Sequence, residues 1–211
     1  MPLSNRQIER YSRQIIAEGV GGIAQERLLA SRIALIGSVD DAGRALRYLV
    51  GAGVGFIHLS IDGATQVAHL IDQANAANPE VSVSPDLPDR VYLIVALIGS
   101  GEALRLAESY ASANRAVPTI WVRLDTPERI ALLHSSNVCF QCARGSLTAP
   151  FRTLSENAAT VTMVAVTETL KLLMADPTNG SKLIEFDGYA SSTTAIGIDR
   201  SRDCACRRDL R

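Results

Sequence analysis

Between Ser31 and about Val122, short apolar runs alternate with stretches whose apolar residues recur at helical spacing. Ile33-Ala34-Leu35-Ile36 is an unbroken apolar run of strand length. Gly43 to Val50 follows, with Ala45, Leu46 and Leu49 on one helical face. Phe56 to Ile61 predicts a second strand. Val67 to Ala77 predicts a helix stopped by Asn78-Pro79, since a residue before proline is pushed out of the helical region. Val91 to Ile98 is an apolar strand, Glu102 to Asn114 a helix and Thr119 to Leu124 a further strand. Fully apolar strands separated by helices predict an α/β fold: a Rossmann-like, mostly parallel sheet with helices on both faces.

The texture changes after Val138. Thr153-Leu154-Ser155-Glu156 fits a capping box, predicting a helix that runs to Met174 and ends at Asp176-Pro177. Lys182 to Phe186 predicts a strand, and Ser201 to Arg211 a charged loop. Glu9 to Ile16 precedes the first strand and reads as an arm or helix packed outside the sheet. The chain divides into an N-terminal arm (1–30), a strand–helix half (31–137) and a cysteine-containing half (138–211), together forming one domain.

Composition narrows the function classes. The chain has 211 residues, 47% hydrophobic and 20% charged, enough for one self-sufficient core. A net charge of -1 argues against a nucleic-acid binder, whose affinity comes from neutralising phosphates. There is no apolar run of membrane-spanning length, and Met1 to Arg13 lacks the apolar core of a signal peptide, so a cytoplasmic location is expected. The four cysteines form two close pairs, Cys139/Cys142 and Cys204/Cys206. In a reducing compartment such pairs read as metal ligands or redox dithiols. Each spacing, C-x-x-C and C-x-C, can close half of a tetrahedral zinc site. His58, His69 and His134 lie apart, without ligand spacing.

Three segments together resemble the ThiF/MoeB/HesA family of ubiquitin-activating-enzyme-like adenylyltransferases. Arg10-Tyr11-Ser12-Arg13-Gln14-Ile15 matches the opening R-Y-x-R-Q-I. Ser31 to Gly37 is followed by Ala52-Gly53-Val54-Gly55 at the family's spacing. Cys139-Phe140-Gln141-Cys142 precedes an apolar helix, a strand ending Phe186-Asp187 and a terminal cysteine pair. The resemblance covers nearly the whole chain in order. It implies ATP-dependent adenylation of the C-terminal carboxylate of a ubiquitin-like or sulfur-carrier protein. It also implies dimers in which an N-terminal arginine reaches the partner's ATP, and structural zinc on Cys139, Cys142, Cys204 and Cys206. The family's second pair is usually C-x-x-C, so Cys204/Cys206 departs from it.

The parts that handle ATP are altered. The family's G-x-G-G-x-G phosphate loop needs bare backbone at a helix N-terminus. Here the matching segment reads Gly37-Ser38-Val39-Asp40-Asp41-Ala42, with two carboxylates where phosphates would lie and with the aspartates read as the helix N-cap. Like charges at that distance repel by roughly 1 to 4 kcal/mol. The ribose-binding acid should end the second strand, but Asp62 falls one residue late, with Ile61 in its place, and a one-residue slip reverses the face. The polar stretch that grips the triphosphate is missing: Gly63-Ala64-Thr65-Gln66 leads almost directly into a helix. Ile98-Gly99-Ser100-Gly101 offers no carboxylate for magnesium before Glu102. No cysteine between the strands and Cys139 could act as a thioester nucleophile.

ATP and magnesium are therefore not expected as cofactors, and an ATP-dependent adenylyltransferase acting alone is disfavoured. The expectation is a degenerate, non-catalytic subunit. It would act as a homo- or heterodimeric partner of a ThiF/MoeB-like subunit, or as a scaffold holding a ubiquitin-like carrier or a peptide. Arg13, and secondarily Arg10, would be lent to an active partner's ATP site. The alternative is an adenylyltransferase or sulfur-transfer enzyme with a rearranged nucleotide site using Asp62 and the Gly37 loop.

Overall fold

The computed structural model describes residues 2–62, 64–114, 117–124, 130–134, 158–175, 181–187 and 192–199. Its elements are α1 (Asn5–Ile15), α2 (Gly21–Ala30), β1 (Arg32–Ser38), α3 (Val39–Ala52), β2 (Phe56–Asp62), α4 (Ala64–Ala77), β3 (Ser82–Ser84), β4 (Leu93–Ile98), α5 (Gly101–Ala113), β5 (Thr119–Arg123), β6 (Ile130–His134), α6 (Ala158–Met174), β7 (Ser181–Asp187) and β8 (Ser192–Ile198). The strands form a single sheet in the order β3-β2-β1-β4-β5-β6-β7-β8. β3, β2, β1, β4 and β5 are parallel, while β6, β7 and β8 continue the sheet antiparallel. The expected Rossmann-like parallel sheet is thus present, extended on one side by an antiparallel edge.

Alternation along the strands separates two cores. Ile33, Leu35, Ile57, Leu59, Leu93, Val95, Leu97, Ile120 and Val122 face α3, α4 and α6. Ala34, Ile36, Ile94, Ala96, Ile98 and Trp121 face the other way, where α5 packs with Leu104, Ala107 and Tyr110. A strand buried on both faces has no polar side, which is why β1 and β4 read as continuous apolar runs. On α6, Glu168 is buried between Lys171 at 2.5 Å and Lys182 of β7 at 2.6 Å, tying that helix to the antiparallel edge.

The N-terminal region is two helices. Ser4 caps α1 reciprocally with Gln7, the capping box. Tyr11 is 1% exposed, and its hydroxyl accepts a hydrogen bond from Asn78 Nδ2 at 2.9 Å. Asn78 Nδ2 also donates to the Val50 carbonyl at 2.7 Å, and Gln25 Nε2 to the Ala52 carbonyl at 3.0 Å. Gln14 Nε2 reaches the Gly51 carbonyl at 3.2 Å. Gln14 and Gln25 reach carbonyls at the C-terminus of α3, and Asn78 adds a second donor to the Val50 carbonyl, which also accepts the Gly53 N–H at 3.1 Å. Gly53, with φ +87, ends α3 in the left-handed conformation, and a Cβ there would lie 2.7 Å from the Tyr11 hydroxyl.

The structure refines several element boundaries. α3 starts at Val39, four residues before the apolar spacing begins, because Ser38 caps it. α4 starts at Ala64. β4 starts at Leu93, since Val91 and Tyr92 approach the sheet outside the strand. α2, β3, β6 and β8 were not expected from the sequence. The capping box at Thr153–Glu156 and the tail at Ser201–Arg211 lie outside the described residues. No described helix is long and apolar enough to cross a membrane.

Asn78 joins α1, the end of α3 and the loop after α4, so Asn78→Ala should remove the donor to the buried Tyr11 hydroxyl and one of the two donors to the Val50 carbonyl, the Gly53 N–H remaining. A loss of about 1–3 kcal/mol is expected in urea unfolding. Tyr11→Phe, which leaves the Asn78–Val50 bond intact, should cost less.

Candidate functional site

The strand order reverses between β1 and β4. The helix after β1 lies on one face of the sheet and the helix after β4 on the other, opening a crevice at the strand C-termini, where doubly wound folds bind ligands. It is bordered by Gly37-Ser38 and the start of α3, by Gly99-Ser100 and the start of α5, and by Asp62, which closes β2 in register with Ser38.

Both helix N-termini there are capped from within the chain. The Ser38 hydroxyl accepts the Asp41 N–H at 3.3 Å and donates to Asp41 Oδ2 at 2.9 Å. Asp41 also faces Arg44 at 3.8 Å. The N-cap is therefore Ser38, not an aspartate: its extended backbone, ψ 161, aims the hydroxyl at the third amide, whereas Asp40 and Asp41 fall inside the first turn and complement the helix dipole. Across the crevice Ser100 caps α5 through the Ala103 N–H at 3.0 Å, with Glu102 in the first turn. The carboxylate of Asp41 lies over Gly99, so close that a Cβ on Gly99 would meet its Oδ2 at 3.1 Å. A negative group of the protein thus occupies the mouth of α3, where an anion would otherwise be drawn.

The remaining glycine of the loop has a packing reason. A Cβ on Gly37 would lie 2.9 Å from both Cβ and the carbonyl oxygen of Leu97, its register neighbour on β4. Gly37 is needed for β1 and β4 to approach, whether or not a phosphate binds. β2 ends at Asp62 and α4 begins at Ala64, which agrees with the expected loss of the polar stretch between them. Ile61 packs against the α3 side of the core. Only the backbone position of Asp62 is described.

Arg10 and Arg13 are placed far from this crevice. α1 rests on the C-terminal ends of α3 and α4, through Gly51, Val50 and Ala77. The crevice lies at the other end of α3, whose 14 residues span about 21 Å. Arg10 Nη1 points at the Ala77 carbonyl, 3.5 Å away. Arg13 is exposed and pairs with no described residue. The two arginines differ accordingly: Arg10 borders a helix C-terminus, and Arg13 is exposed to solvent.

Cys139, Cys142, Cys204 and Cys206 lie outside the described residues, as does the boundary of the cysteine-containing half. Among the described residues no group of three or more His, Cys, Asp or Glu side chains could hold a metal.

Sequence reasoning overlooked one polar contact on the α5 face. His58 of β2 is buried, stacks on Tyr110 of α5 with ring centroids 5.7 Å apart, and meets the Asp86 carbonyl through Nδ1 at 3.1 Å. That carbonyl can only accept, so Nδ1 carries the hydrogen. His69 pairs with Gln73 on the surface of α4.

No protein-family model matches the chain. The sulfur carrier protein ThiS adenylyltransferase of Escherichia coli is 25% identical over 244 aligned positions, covering 96% of each chain. The SAMP-activating enzyme E1 of Haloferax volcanii is 35% identical over 104 residues, 40% of this chain and 38% of that enzyme. The adenylyltransferase and sulfurtransferase UBA4 of Saccharomyces cerevisiae is 39% identical over 70 residues, only 16% of its length. The chain resembles the ThiF/MoeB adenylyltransferases. Solved structures carry the same fold: Escherichia coli MccB with ATP superposes with a TM-score of 0.66 at 15% identity, covering 96% of this chain and 74% of that one. PaaA superposes with a TM-score of 0.62 at 17% identity, covering 93% and 84%. The R-Y-x-R-Q-I helix of this chain is placed by Tyr11 and Gln14.

His58 gives the fold an acid-sensitive contact. Burial holds its pKa below the ordinary 6.5, against the opposing pull of Asp86. The unfolded chain then takes up a proton before the folded one does. This contribution should be complete above about pH 6.5, fall as the pH drops toward the folded pKa, and level off below it. Urea midpoints at neutral and mildly acidic pH should therefore differ less in His58→Leu than in the parent.

Proposed function

We propose that this chain is a non-catalytic ThiF/MoeB subunit. It pairs with a second ThiF/MoeB-like chain, or holds a ubiquitin-like carrier or a peptide for one, and lends Arg13 to the active partner's ATP site. The observation that carries the reading is the self-closed crevice: Ser38 and Asp41 fill the mouth of α3, above Gly99. Nothing but residue 63 separates β2 from α4, so no segment remains there to grip a triphosphate.

The position of α1 supports the second part. Arg13 projects from a helix docked at the far end of the sheet, so it can serve only a site outside its own crevice. Zinc on Cys139, Cys142, Cys204 and Cys206 belongs to the same proposal as a closed structural site. So does a cytoplasmic location, where those thiols would stay reduced.

The alternative is adenylation of the C-terminus of a ubiquitin-like or sulfur-carrier protein through a rearranged nucleotide site. The full-length match to a ThiS adenylyltransferase favours it, and the carboxylates at the crevice oppose it.

Titration calorimetry of the purified chain with ATP and magnesium separates the two readings. No heat of binding is expected, and metal analysis should find about one zinc per chain. Micromolar ATP binding would overturn the non-catalytic reading, and pyrophosphate release with a carrier protein would establish the alternative.

A second prediction concerns the assembled complex. Arg13→Ala should lower the active partner's adenylation rate with its ATP affinity less affected, because arginines supplied in trans are worth roughly a thousandfold or more in phosphoryl transfer. An unchanged rate would remove Arg13 from the mechanism.

A further inference from the structure

At the end of the sheet opposite the crevice, two arginines are each laid over an aromatic ring. Arg32 opens β1 in register with Phe56, which opens β2, and its guanidinium lies 5.8 Å from the centre of the Phe56 ring. Tyr92, just before β4, donates its backbone N–H to the Arg32 carbonyl at 2.7 Å and carries the Arg90 guanidinium 5.4 Å from its own ring centre. Ala34 and His58 share the α5 face, so Arg32 and Phe56, each two residues earlier on its strand, point the same way. The result is a row from the starts of β2 and β1 to the segment that leads into β4: Phe56, Arg32, Tyr92, Arg90.

Three properties mark this row as an interaction surface. Both arginines are exposed, and neither forms an ion pair among the described residues. Tyr92 is 47% exposed, and Leu87 in the adjoining loop is 58% exposed. The loop's own carboxylates do not neutralise the row: Asp86 accepts the Ser84 hydroxyl at 3.3 Å, and Asp89 pairs with neither guanidinium. A guanidinium stacked on a ring has given up much of its side-chain freedom while its hydrogen-bonding edge stays open. Tyrosine and arginine are also the side chains over-represented among the residues that dominate protein interfaces.

We propose that this row is a docking surface for a partner protein, which binds through an acidic segment. Carboxylates of the segment engage Arg32 and Arg90, and an apolar side chain beside them packs on Tyr92 and Leu87. Charge complementarity identifies the occupant, because two oriented cations await their counter-charge. Two arginines on a chain of net charge -1 are a poor platform for nucleic acid, whose binding grows with the number of phosphates neutralised. The surface is independent of the crevice and of Arg13, so it stands whether or not the chain is catalytic.

The test uses the full chain and a fluorescein-labelled peptide alternating glutamate and leucine, read by anisotropy at low and moderate salt. Saturable binding that weakens with salt is expected, and the lysine–leucine counterpart should not bind. Arg32→Gln/Arg90→Gln should weaken binding about tenfold or more with an unchanged melting temperature, since both side chains are exposed. Tyr92→Ala should weaken it separately. Failure of the acidic peptide to bind, or equal binding by the double-arginine variant, overturns the proposal. Tighter binding of a single-stranded oligothymidylate at the same salt would also overturn it, and would assign the row to nucleic acid.

Discussion

The architecture depends on one constraint, the burial of β1 on both faces between β2 and β4. Ile33, Ala34, Leu35 and Ile36 are fully buried, alternately against α3 and α5. A central strand covered on both sides forces the following chain to choose a face, and the chain after β4 takes the opposite one. The crevice at the end of β1 is therefore a consequence of topology and exists whatever residues line it. Gly37 illustrates the point. It is the surviving glycine of a phosphate-loop pattern, yet its closeness to Leu97 accounts for it through packing alone. A glycine at such a position is evidence of the fold before it is evidence of a ligand.

What the crevice can bind is decided by the residues that follow. An N-terminal helix end attracts anions because its first amides lack partners and its dipole is positive. Ser38 takes up one of those amides at α3 and Ser100 one at α5, and the first turns add Asp40, Asp41 and Glu102. Each change stabilises the helix that carries it. Together they draw on the same electrostatic potential that an anion at these helix ends would use, so capping stabilises the helices at the expense of anion attraction.

The parts of this arrangement that were legible from sequence are those with strong periodicity. β1, β2, β4 and β5 are apolar runs bounded by polar residues, and α4 and α5 end where Asn78-Pro79 and Asn114 stop them. The elements that escaped notice lack such a signature. β3 is three residues long. β8, Ser-Thr-Thr-Ala-Ile-Gly-Ile, is exposed along nearly its whole length, so no burial pattern marks it. α2 buries only Ala24, Gln25 and Leu28, and one of these is a polar side chain whose amide reaches Ala52. At the crevice, composition indicated negative charge correctly, but the capping role went to Ser38 because backbone geometry, which sequence does not display, selects the N-cap. The knot of Tyr11, Asn78 and Gly53 was invisible for a similar reason: its members are far apart in sequence and are joined only by the packing of four helices.

That knot is separate from the crevice. The anchors of α1 are Tyr11, Gln14, Asn78 and the carbonyls at the C-terminus of α3, and none of them borders the crevice. Substitutions at Ser38 to Asp41 act on the opposite end of α3, about 20 Å away, and such separated sites are energetically independent to a first approximation. Changes at the crevice therefore leave the support of α1 untouched. Conversely, a chain that had lost the knot would lose the placement of its arm and much of its fold together, since Asn78 and Tyr11 are buried among four helices. The crevice can therefore change its lining without disturbing α1, whereas the knot cannot change without disturbing both α1 and the end of α3.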